Sequence, residues 1–144
     1  MLSNTSKYAI RSAIYLALNV NNGSKIGIKK ISGDLNIPSP FLAKILQVLA
    51  KQKLLASTKG PNGGFSLARD PKKITLYEIV TIIDGDDIFY KCLISMRTCH
   101  EENTPCPVHE RYESIRSEVI RLFKELTIGD LAVDIKARDT IIAL

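Results

Sequence analysis

All three cysteines and both histidines of this 144-residue chain lie in one stretch, KCLISMRTCHEENTPCPVHE, from Lys91 to Glu110. The order is Cys92-x6-Cys99-x6-Cys106, followed by Cys106-x2-His109, with His100 directly after Cys99. Three thiolates and one imidazole can complete the four outer positions of a 2Fe–2S rhomb, or hold tetrahedral zinc. The spacing lacks the Cys-x2-Cys pair of a zinc ribbon and the two-His pattern of a catalytic zinc centre. An iron–sulfur cluster therefore ranks first and zinc second. His109 is preferred to His100 as the fourth ligand, because His100 would need a cramped chelate with its neighbour Cys99. A nucleophilic cysteine with His109 as base leaves the other two cysteines without a role. A disulfide framework would need an even count and an exported chain. The bland alternative is three incidental cysteines that share a loop.

A loop of this kind must be carried by a fold. A length of 144 residues and a 45% hydrophobic fraction suit one domain of ordinary size, or a small domain with an added arm. No run approaches the ~18 apolar residues of a membrane span. The N-terminal stretch carries Lys7 and Arg11 inside an amphipathic pattern, which reads as a helix of the mature protein and not as a signal peptide. The expected compartment is the cytoplasm, with no membrane partner.

Charge is divided unevenly. Residues 1–80 hold twelve Lys/Arg against three acids, a net +9, while residues 81–144 are −4. A basic front half is the footprint of a polyanion binder, with a solvated lysine-rich surface as the plainer reading.

The periodicities predict the elements. Tyr8, Ile10, Ala13, Ile14, Ala17 and Leu18 mark a helix that NNGSK interrupts. A short extended piece and a short helix follow, with Ile31, Leu35 and Ile37 inward and Pro38 at the close. A third helix starts with Ser39 as cap and Pro40 in its first turn, and buries Leu42, Ile45, Leu46 and Leu49. Leu55 and Ser57, then Phe65 and Leu67, alternate on either side of KGPNGG, which predicts a β-hairpin. Ile74, Ile79, Val80 and Ile83 predict another helix ending at Gly85. From Val108, apolar residues step by 4, 3, 4, 3 and 4 through Tyr112, Ile115, Val119, Leu122 and Leu126, with Arg116 among the polar positions. That is a heptad seam able to pack on its own domain or on a second copy. Thr127 and Asp130 have capping-box spacing.

The predicted fold is mostly α with a small β-hairpin wing: a winged helix-turn-helix domain (1–84), a cysteine-rich cluster-binding loop (85–106), and a dimerisation helix with a C-terminal segment (107–144). In such a fold the third helix enters the major groove and the wing reaches a neighbouring groove. The candidate DNA contacts are Arg11, Lys29, Ser39, Pro40, Phe41, Lys44, Gln47, Lys51, Lys59, Asn62 and Gly63. A winged fold used for docking proteins is the alternative.

SKYAIRSAIYLA, IPSPFLAKILQVLAKQKLLASTKGPNGGFSLARDP and TIGDL closely resemble the Rrf-two family of bacterial winged-helix transcription regulators, over about residues 1–131. The resemblance implies a homodimer joined through the long helix, a roughly palindromic duplex operator and no enzymatic activity. Cluster-binding members carry three cysteines in this loop, which implies Cys92, Cys99 and Cys106 as ligands. CPVH is similar to the Cys-x-x-His with which one member type supplies a fourth ligand, here His109. Both cysteine gaps are a residue longer than is usual in the better-known sensors. Lys7 stands where carboxylate-ligated members place an acid, which also favours His109. Ala43 replaces a Glu that several members use to discriminate between operators. The expected function is a transcriptional regulator, in the repressor sense, whose operator binding follows an iron–sulfur cluster sensing redox, nitric oxide or iron–sulfur status. A cluster-free or zinc-bound thiol sensor is the alternative.

Overall fold

The apolar stripe that begins at Tyr8 becomes the spine of the molecule. In a computed structural model, which describes residues 1–19, 23–96, 98 and 106–138, helix α1 (Asn4–Asn19) buries Ala9, Ala13, Ile14 and Leu16. Helices α2 (Ile28–Leu35) and α3 (Ser39–Lys51) pack beside it. The turn between them is possible because Asn36 adopts the left-handed conformation (φ 52°), which Asn tolerates better than most residues.

Helix α3 starts differently from the sequence expectation. Pro38, not Ser39, is the cap, and its carbonyl accepts the amides of Phe41 and Leu42 at 3.1 and 2.9 Å. Ser39 and Pro40 therefore fill the first turn, where the missing N–H of Pro40 costs nothing. The predicted face is buried: Leu42, Leu46 and Leu49 are fully enclosed and Ile45 nearly so.

Strands β1 (Leu55–Thr58) and β2 (Gly64–Leu67) pair antiparallel, with Leu55 opposite Leu67 and Thr58 opposite Gly64. Ile26 adds a single bridge to Phe65, so the start of α2 is stitched to the wing. Gly64 makes this approach possible. Its φ is +153°, and a Cβ there would lie 2.4 Å from the carbonyl oxygen of Ile26.

Helix α4 runs Leu76–Asp84 and stops at Gly85 (φ 79°). Ile74 precedes it, at the end of a 3-10 turn over Pro71–Lys73 that the sequence reading did not include. A four-residue helix, α5 (Asp87–Tyr90), follows and also went unpredicted, since one turn is too short to show a period. The seam helix, α6, runs His109–Glu125, and a last helix, α7, covers Ile128–Arg138. Ile128 joins the same buried cluster as Leu16, and α7 lies along α1. Thr75 and Thr127 face each other across a short antiparallel bridge and each caps a helix, α4 and α7 respectively.

Candidate functional site

The first surface is the outer face of α3 with the wing. Because Leu42, Ile45, Leu46 and Leu49 turn inward, helical geometry turns Pro40, Phe41, Lys44, Gln47 and Lys51 outward, and all five are exposed. Ser39 is half-buried at the start of this face. Phe41 is steadied by an edge-on contact with Tyr8, ring centroids 5.7 Å apart. Lys29 on α2 and Lys59 and Asn62 on the wing are exposed, and a groove runs between α2 and the wing. That groove encloses about 510 Å³ and is floored by backbone of Gly27, Gly60, Gly63 and Gly64.

Two of the candidate contacts have structural duties. The guanidinium of Arg11 donates to the Leu35 carbonyl at 2.8 Å and lies over the Tyr8 ring at 5.3 Å. It therefore ties α1 to the end of α2, and burial lowers its pKa from the usual arginine value. Gly63 closes the wing turn: its amide donates to the Gly60 carbonyl at 3.0 Å, and a Cβ would strike the Thr58 carbonyl. The sequence reading missed Lys25, whose ammonium bonds the Thr58 hydroxyl on the wing. It also missed how the acid of α2 is occupied. Asp34 accepts from Tyr15 at 2.5 Å and from Lys30 at 3.0 Å. Those bonds, led by the one from Tyr15, hold Asp34 below its ordinary range, while burial and the carboxylate push Tyr15 up to about 12.

The second surface is the cysteine site. After α5 the chain forms a bridge between Lys91 and Thr98, and Cys92 follows Lys91. Cys106 lies three residues before α6 and accepts the amide of His109 through its carbonyl at 2.8 Å. The Sγ atoms of Cys92 and Cys106 stand 3.4 Å apart, both side chains half-buried. Two sulfurs on one tetrahedral metal, with bonds of about 2.3 Å, stand about 3.8 Å apart. The pair therefore fits a shared metal after a shift of a few tenths of an ångström, and its soft donors suit iron or zinc. His109 opens α6 with its Nε2 3.9 Å from a Glu113 carboxylate oxygen. Among the described residues no group of three or more His, Cys, Asp or Glu is gathered. The structure thus brings two of the predicted ligands together and leaves His109 on the neighbouring turn. Cys99 and His100 lie outside the described residues.

Helix α6 follows the cysteine site and packs on α4 and α5. Its inner side holds Arg116, buried, and Phe123, which meets Phe89 of α5 at 5.4 Å. The middle of the seam faces out: Ile115, Val119 and Leu122 are 57%, 38% and 54% exposed, while Val108, Tyr112 and Leu126 are half-buried. Arg116 was read as one of the polar positions outside the seam, yet it is buried. It is inward because α6 packs on α4 and α5 through a second stripe, leaving the middle of the seam uncovered.

The Rrf2 family profile, described as an iron-dependent transcriptional regulator, matches residues 2–134. A helix-turn-helix-type transcriptional regulator assigned in Aquifex aeolicus is 41% identical over 133 residues, covering 91% of this chain and 90% of that protein. The regulator IscR of Aliivibrio salmonicida is 26% identical, covering 92% of this chain and 77% of its own. Among solved structures, T. potens IscR superposes with a TM-score of 0.77 at 19% identity, covering 98% of this chain and 92% of that one. At that identity the likeness speaks for the winged-helix fold.

Proposed function

The chain belongs to the Rrf2 family of DNA-binding, non-enzymatic transcriptional regulators, and on that premise we propose that it represses transcription as a cytoplasmic homodimer on a roughly palindromic operator, with its grip on DNA set by an iron–sulfur cluster in the cysteine site. The observation that carries the reading is the 3.4 Å pairing of Cys92 and Cys106 at the foot of α6, a helix whose apolar stripe is uncovered. The family profile's iron dependence and the IscR relative agree with it.

The residues divide the work. The outer face of α3, with Lys44 and Gln47, reads and grips the major groove, and Lys59 on the wing reaches phosphate. Ile115, Val119 and Leu122 meet their copies across a two-fold axis, which sets two reading helices on two half-sites. Cys92, Cys99 and Cys106, with His109 as fourth ligand, would hold a 2Fe–2S cluster, which supplies a reversible one-electron change at the base of α6. Holding His109 in that set needs its imidazole to leave Glu113.

The test is anaerobic purification with iron, sulfide and visible absorption assays, alongside Cys106→Ala and His109→Ala. Affinity is read on a duplex selected from a random pool by the wild type. Iron and sulfide uptake that is lost in Cys106→Ala, and affinity that follows loading, support the reading. Uptake of zinc alone, or affinity indifferent to loading, overturns it. Affinity that does not fall with added salt favours protein docking instead, because phosphate contacts release counterions. Val119→Lys with Leu122→Lys should yield monomers in sedimentation.

The same sulfur distance favours one second reading, a thiol switch without a cluster. Two thiols give two protons and two electrons to a peroxide, which leaves as two waters, and the sulfurs join. Mass spectrometry of peroxide-treated, cluster-free protein tests it: a Cys92–Cys106 cross-link that forms and reverses with reductant supports it.

A further inference from the structure

Arg116 is a permanent cation with only 4% of its side chain exposed, on a helix whose other charged residues face water. Burying a guanidinium is costly unless its donors are used. Here Nη2 donates to the Lys91 carbonyl at 3.2 Å and Nη1 to Glu113 at 3.1 Å, with the guanidinium over the Tyr112 ring at 5.0 Å. The location of these partners is what matters. Lys91 directly precedes Cys92, so Arg116 holds the peptide in front of one thiol. The Glu113 oxygen it binds is the one that stands 3.9 Å from His109, the first residue of α6 and three residues after Cys106. The Lys91 amide is meanwhile bonded to the Asp87 carbonyl of α5 at 2.8 Å, so the carbonyl and amide of Lys91 link α5 to α6.

We propose that Arg116 is the positioning residue through which a shift of Cys92 on loading of the cysteine site reaches the dimer helix: its guanidinium fixes the Lys91 carbonyl to α6, so a displacement of the Lys91–Cys92 peptide moves α6 or breaks that bond. This rests on the cluster reading above. Fitting the two sulfurs and His109 around a common centre spreads the sulfurs from 3.4 Å toward about 3.8 Å, which shifts Cys92, and takes His109 away from Glu113. Glu113 then bonds Arg116 alone. The bond to Lys91 converts the local shift into a displacement of the α6 stripe, and the half-site spacing follows. Without the guanidinium the thiols remain, but the pull of Cys92 on α6 is lost.

The test uses the full chain with Arg116→Met, which keeps length and burial but no donor, and Arg116→Lys, which keeps one charged donor. Wild type and variants are loaded anaerobically to matched iron and sulfide content. Affinity for the selected duplex is then measured loaded and cluster-free. Amide exchange over residues 91–96 is followed in the reduced, cluster-free protein. The expected wild-type ratio of loaded to cluster-free affinity lies about 5- to 150-fold from unity. In Arg116→Met it falls to within about twofold of one, and exchange over 91–96 quickens by about tenfold as the local tie is lost. Arg116→Lys recovers part of both. A wild-type ratio preserved in Arg116→Met, or exchange that does not change, overturns the proposal. Should Arg116→Met not fold, Arg116→Lys decides: a ratio and exchange both equal to wild type overturn it. A wild type that loads without any change in affinity brings down the sensing reading and this coupling together. A wild-type ratio that survives the variants brings down only the role of Arg116.

Discussion

Helix α3 and the segment after Cys92 both display side chains at the surface, yet they are positioned by opposite means. Helix α3 stands on Leu42, Ile45, Leu46 and Leu49, all nearly or fully enclosed, and its entry is fixed by Pro38 and Asn36. The cysteine segment leaves Leu93, Ile94 and Met96 at 57%, 67% and 96% exposure. Phe89 anchors it on one side, stacked on Tyr77 at 4.7 Å, and Arg116 on the other. The α3 surface proposed to read DNA is thus built into the core, whereas the cysteine segment is held by a few contacts. On the proposed function that asymmetry has a use: the α3 face keeps its shape while the cysteine site changes.

The strongest way to break the comparison is to weigh the two regions in one unfolding experiment. Leu46→Ala removes a side chain with no exposure and should cost about 2–5 kcal/mol. Cys92→Ala or Cys106→Ala, at half-buried positions, should cost under about 1 kcal/mol in reduced, cluster-free protein. Urea midpoints at a constant slope check both. Equal costs would mean that the cysteine segment is part of the core after all.

How much of this was legible before the fold was known depends on the physics of each element. The α3 face, the hairpin and the seam are periodic, so their spacing carried them. The wing glycines were legible as breakers, but Gly64's near-contact with Ile26 was not, because Ile26 and Gly64 are brought together only by folding. Arg116 was misplaced for a related reason. A charged residue among Glu and Arg neighbours reads as solvated, and only the carbonyl of Lys91, 25 residues earlier, gives it a reason to be buried. Ligand type was legible in the cysteines, yet which sulfurs approach each other was not.

Gly64→Ala sharpens the comparison from the other side. Its φ of +153° disfavours a side chain, and the added Cβ meets the Ile26 carbonyl at 2.4 Å. The expected loss is about 1–3 kcal/mol of stability. Because Ile26 stitches α2 to the wing, DNA affinity should fall as well, while iron and sulfide uptake stays at the wild-type level. Thermal unfolding with duplex binding measures the first two, and metal analysis the third. Loss of uptake would show that the wing and the cysteine site are not separable.

The smallest effect is expected at the start of α7, the helix that follows α6. Thr127 accepts the Asp130 amide through Oγ1 at 3.1 Å, and the Thr127 amide donates to the Asp130 carboxylate at 3.1 Å. This reciprocal pair satisfies two amides at the helix start. Thr127→Ala should therefore cost about 1 kcal/mol. The hydrogen bonds from Thr127, its hydroxyl first and its amide second, hold Asp130 below the ordinary aspartate value of 3.8. A carboxylate whose pKa is lower folded than unfolded stabilises the fold fully above its unfolded value, and that stabilisation is lost as pH falls through the folded value. The penalty of Thr127→Ala should consequently be constant from neutral pH down to about 4 and shrink below it, as protonation removes the wild type's own advantage. Urea titrations of both proteins at a series of pH values check this. A penalty that persists undiminished in acid would mean that the hydroxyl stabilises α7 through the Asp130 amide alone, with the carboxylate a bystander.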